Sequence, residues 1–195
     1  LVEPAFVLDA PLLEGALAQE QAQKQQQLLA LARLLGVVGQ SDADVSESVR
    51  VELASAARFS ALLEGLGVPT PMKPSPTNQL REIPALAKTD QGLLDLQEHD
   101  NPVVAAAAAA RLSVKSTLLE SRITLLLEAS RTVGGRLPAP LHYCGAATTG
   151  RWSGWAYNPQ NLPRVAPGKP RNSDALRMSI TAPAGCKIVV ADLSG

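Results

Sequence analysis

Two neighbouring runs concentrate the polar chemistry of this sequence, Thr149-Gly150-Arg151-Trp152-Ser153-Gly154 and Asn158-Pro159-Gln160-Asn161-Leu162-Pro163-Arg164. Helical or strand packing does not explain amides and arginines gathered at this density. Asn and Gln side chains carry both a donor and an acceptor, so they can bond the groove acceptors that all base pairs share. Arginine does the same and also pairs with phosphate. Trp152 and Trp155 suit stacking on a base or packing of the loop onto the domain that carries it. Arg177 suits a phosphate or an acid partner. Cys144 and Cys186 are far apart and neither belongs to a CxxC pair, so no zinc site or disulfide framework is indicated, and both read as small buried residues. His99 and His142 are too isolated to form a metal site.

The formal charge of zero hides an uneven distribution. Residues 1–100 hold seven basic against 14 acidic residues, and residues 101–195 hold 11 against four. A basic C-terminal half fits a polyanionic partner. A composition 46% hydrophobic and only 3% aromatic, dominated by Leu and Ala, favours helices packed through aliphatic seams with strands a minority. There is no uncharged apolar run of about 18 residues and no signal-peptide pattern, which predicts a soluble, intracellular protein with no membrane role.

The elements that must position these runs follow from periodicity and punctuation. Apolar residues at helical spacing predict a helix from Ala10 to Val37, with a Gln-rich stretch from Gln19 to Gln27 inside it and Gly36 as a stop. Ser46 to Ser48 offer N-caps to a second helix over Val49–Leu66, closed by Gly67. Pro69 to Pro84 carries five prolines and reads as a loop, followed by a short helix after Asp90. Asn101 as N-cap and Pro102 at the first helical position open one continuous helix to about Thr132, roughly 45 Å long. Gly134 and Gly135 close it. Beyond Pro140, Leu141 to Cys144 and Lys187 to Ala191 read as strands, the second buried and ending at Asp192. The fold class is α+β, with a helical domain over 1–133 and a second segment over 134–195.

The two polar runs resemble the TGRxS…NxQNxP signature of family A DNA polymerases, most closely in its phage form. The spacing to Val189-Val190-Ala191-Asp192-Leu193-Ser194 resembles that family's motif A, although a Gln often follows the equivalent of Ser194 in the family. Arg111 to Thr117 is similar to a thumb segment, as is Lys88-Thr89 ahead of a short helix. The resemblance covers roughly residues 85–195. It implies a thumb over 1–133, a first palm segment over 134–195, and template-directed addition of deoxynucleoside triphosphates to a primer. In that case Arg151 contacts the minor groove at the primer terminus, with Asn158, Gln160, Asn161 and Arg164 along the duplex. Lys115, Ser116 and Thr117 hold backbone phosphate. Asp192 is the catalytic carboxylate, and with the Leu193 carbonyl it ligates two Mg²⁺ ions. A carboxylate at the end of an apolar strand is held at the rim of a rigid sheet, where such ions can bridge it and a triphosphate.

The implied partners are primer–template DNA and a second polypeptide carrying the remaining palm and fingers. Glu120, Glu128 and Asp174 are not placed as a second metal ligand, so the chain alone is expected not to polymerise. The implied location is cytoplasmic, in the host cell if phage-encoded. A non-catalytic nucleic-acid-binding module is the alternative the charge pattern alone permits, and a single-subunit RNA polymerase shares the palm plan.

Overall fold

The computed structural model describes residues 4–155, 157, 159–163 and 171–189. In chain order the first part forms β1 (Phe6–Leu8), α1 (Ala10–Leu35), α2 (Asp42–Ala54), α3 (Ala56–Gly65), β2 (Met72–Pro74), β3 (Glu82–Pro84) and α4 (Gln91–Asp95). Then follow α5 (Pro102–Lys115), α6 (Leu118–Thr132), β4 (Arg136–Leu137), β5 (Leu141–Ala146), β6 (Arg151–Gly154), α7 (Ala175–Met178) and β7 (Ile180–Thr181). The architecture is mixed α and β, with one long helix and three small sheets among the described residues.

The residues group into two compact units, one of residues 1–20 and 118–195, the other of residues 21–117. In the first, the antiparallel sheet β4-β1-β7 has the N-terminal strand at its centre, with Val7 opposite both Arg136 and Thr181. Leu8, Leu13, Ile123, Leu126, Leu137 and Leu176 form its core. In the second, Leu31, Leu53, Phe59, Leu63, Leu93 and Val104 pack together, joined by Ala107 and Ala108. The small alanines of α5 let the surrounding helices approach closely.

Several expectations from the sequence are corrected. The helix foreseen over Asn101–Thr132 is two helices, interrupted at Ser116 and Thr117, where Ser116 leaves helical geometry at φ −97°, ψ 72°. Its amide still bonds the Ser113 carbonyl at 3.1 Å. Residues 102–132 are long and apolar enough to cross a membrane by length and composition, at a mean hydropathy of 1.2. A core helix of a soluble protein passes the same test, and Val104, Ala107, Ala108 and Ala110 are core residues here.

The second expected helix is also divided. It begins at Asp42, capped by Ser41, and breaks at Ser55, whose extended backbone (φ −82°, ψ 133°) ends α2 and caps α3. The proline-rich loop contains the β2–β3 ribbon, with Lys73 opposite Ile83. Prolines at the ends of both strands are compatible with a two-stranded ribbon, whose outer edges need no ladder donors. Lys187, Ile188 and Val189 are not in a strand, and Val189 is 85% exposed. No described strand pairs with them, so the apolar sequence there lacks the ladder that would make it a buried strand. Both cysteines are exposed rather than buried.

Candidate nucleic-acid interface

The β5–β6 hairpin carries the Thr149–Gly154 run. Gly150 precedes Arg151 at φ +63°, a left-handed conformation that glycine adopts without steric cost, and the Thr149 and Gly150 amides both bond the Ala146 carbonyl. The ladder pairs Leu141 with Gly154, His142 with Ser153 and Ala146 with Arg151, with an irregularity between His142 and Ala146. Cys144, inside that irregularity, takes φ +50°. Gly145 lies so close to Ser153 that a Cβ there would overlap its hydroxyl at 2.0 Å. A bulge of this kind re-aims side chains along an otherwise regular ribbon.

Arg151 is exposed, and among the described residues its guanidinium has no hydrogen bond or ion pair. Trp152 meets Tyr143 edge-on at 5.2 Å between centroids, and Trp155 meets His142 at 5.8 Å. Neither tryptophan is packed away, since they are 54% and 57% exposed.

The amide-rich run is only partly described. Pro159, Gln160 and Asn161 form a single 3-10 turn, and Asn161 is exposed while Leu162 is buried. Arg177 contacts the end of this turn. Its guanidinium donates to the Leu162 and Pro163 carbonyls, each at 3.0 Å. Asn158, Arg164, Asp192 and Leu193 lie outside the described residues, so their expected roles stand as expectations.

In the other unit, Lys115 ends α5, and Ser116 and Thr117 occupy the interruption after it. Lys115 and Thr117 are exposed, and Ser116 is half-buried. Two lysines converge on Ser116: Lys24 Nζ donates to its carbonyl at 2.8 Å and Lys88 Nζ to its hydroxyl at 2.7 Å. Helical spacing predicts neither contact, because the partners are 92 and 28 residues away. The signal available for Lys24 was a lone cation inside the Gln19–Gln27 run.

The chain matches no protein-family model and no curated protein.

Beneath this junction, Arg111 is 2% exposed. Its Nη1 donates to the Leu53 carbonyl and, at 3.1 Å, to that of Ser55, while Nε reaches the Leu86 carbonyl at 3.2 Å. The guanidinium stacks 4.6 Å from the Phe59 ring centroid. Burial pushes its pKa down from the ordinary arginine value. Arg111 therefore acts on the junction indirectly, fixing Leu86 two residues before Lys88. His99 is likewise structural, its Nδ1 accepting from the Asn101 amide at 3.0 Å. Among the described residues no group of three or more His, Cys, Asp or Glu side chains could hold a metal ion.

Proposed function

We propose that this chain is the thumb and first palm segment of a family A DNA polymerase, contributing to template-directed addition of deoxynucleotides to a primer. The observation that carries the reading is Arg151. It combines the TGRWS context with an exposed guanidinium that has no partner among the described residues, in a stretch rich in amides. Such a group is available to groove acceptors or phosphate. The convergence of Lys24 and Lys88 on Ser116 supports the phosphate role assigned to Lys115, Ser116 and Thr117, because it gathers positive charge at the Ser116 carbonyl and hydroxyl.

The reading assigns Mg²⁺ to the Asp192 carboxylate and the Leu193 carbonyl, oxygen donors of the kind a hard cation takes. When bound, the two ions stabilise charge on the attacking and leaving oxygens of an in-line displacement. One carboxylate is too few for two ions, so the reading requires a second one from a segment or chain that completes the palm.

The test is Mg²⁺-dependent primer extension by residues 1–195 combined with that completing part. Extension is expected, and Asp192→Asn should abolish it while DNA binding stays within a few-fold, since the metals serve chemistry more than docking. Retention of about a tenth of the rate or more by that variant would remove Asp192 from the metal site.

A further inference from the structure

The chain contains two tryptophans, and both lie in or next to the hairpin with more than half their surface in water. Side chains alternate across a ribbon, so its two faces differ. The Tyr143–Trp152 contact marks one face. Arg151, Ser153 and Trp155 follow the opposite alternation, and His142 joins them as the ladder partner of Ser153 and the ring neighbour of Trp155. The Trp155 amide extends the ribbon by bonding the Pro140 carbonyl at 3.0 Å. One face thus carries an exposed aromatic pair and, four residues along the strand from Trp155, a cation that has no partner among the described residues.

The surrounding sequence limits what could cover that face. Between Glu128 and Asp174 there is no acidic residue, against six basic ones: Arg131, Arg136, Arg151, Arg164, Lys169 and Arg171. A partner of complementary charge is a polyanion. The polyanion that also offers flat apolar surfaces to an indole ring is nucleic acid, whose bases all have a π-face.

We propose that the His142–Trp155 face takes an exposed base of a nucleic acid, with Trp155 stacked on the base and Arg151 paired with the adjoining phosphate or groove edge. The interior of a duplex hides its base faces, so the ligand has a recessed end or an unpaired segment. This inference rests on the nucleic-acid part of the polymerase reading and adds to it an aromatic contact and a preference for exposed bases.

Single-tryptophan forms of the full chain test it. Trp152→Phe leaves Trp155 as the only indole, and Trp155→Phe leaves Trp152. Each is titrated with a recessed-end primer–template and with a relaxed, covalently closed circular duplex, while a filter assay measures binding independently. The recessed end is expected to quench Trp155 and leave Trp152 nearly unchanged. Trp155→Ala should weaken binding to the recessed end roughly tenfold or more, with little effect on the closed circle. Three results would overturn the inference while leaving the polymerase reading intact: bound DNA without any change at Trp155, equal quenching of both tryptophans, or equal quenching of Trp155 by the closed circle. Failure of the full chain to bind any DNA would overturn both.

Discussion

A single guanidinium ties two separate segments of residues 21–117 to α5. Arg111 satisfies three backbone carbonyls from two separate segments and stacks on Phe59, so removing it leaves buried acceptors without donors. Arg111→Met, similar in length, should destabilise the chain by about 2–4 kcal/mol in urea unfolding. A loss below about 0.5 kcal/mol would mean that water replaces the guanidinium at no cost. Tyr157 is a second buried polar group. Its hydroxyl donates to the Pro138 carbonyl, and burial pushes its pKa up to about 12. The unfolded chain ionises this phenol near pH 10. The native state therefore binds more protons between pH 10 and 12: the stabilisation is complete below 10 and is lost as pH rises towards 12. Wild type should lose stability in this window faster than Tyr157→Phe, and identical pH profiles would contradict the buried donor.

The helices show which signals a sequence carries and which it does not. Asn101 followed by Pro102 marks a helix start, and the structure has that cap, with Asn101 Oδ1 accepting from the Val103 amide at 2.9 Å. Asn101→Ala should cost about 1 kcal/mol in thermal unfolding. An unchanged midpoint would mean that Pro102 alone fixes the start. The breaks at Ser55 and Ser116 were not legible, because serine is an acceptable residue inside a helix and only long-range contacts decide otherwise. Lys24 and Lys88 take up the Ser116 carbonyl and hydroxyl, and Arg111 takes up the Ser55 carbonyl. Tertiary partners thus determine where the helices end. The β2–β3 ribbon was hidden for a related reason, since proline density signals a loop without revealing that the intervening residues pair.

At the scale of the whole molecule, the proposed DNA binding carries a salt dependence that follows from the charge division read from the sequence. Each phosphate contact releases counterions, so Lys115→Ala should weaken binding uniformly across sequences and reduce the slope of log affinity against log salt by ~1. An unchanged slope would make Lys115 a solvated helix residue only. The α+β class, the α1 helix and the hairpin's first strand were all legible. So was the Thr149–Gly154 run as a polar exception, because residues that pack badly stand out against a Leu- and Ala-rich background. The exposure of Trp152 and Trp155 was not legible, since aromatic residues more often lie inside.

The central position of β1 bears on how the chain folds during synthesis. Phe6, Val7 and Leu8 are synthesised well before their partners Arg136, Leu137, Ile180 and Thr181. At typical ribosomal rates, strand β1 waits on the order of ten seconds before either neighbour exists. Residues 21–117 are complete well before then and can settle into their own core during the wait. An apolar strand exposed for that interval is an invitation to pair with another nascent chain. Folding yield should therefore depend on translation speed through residues 9–136, the stretch that sets how long β1 waits for its first partner.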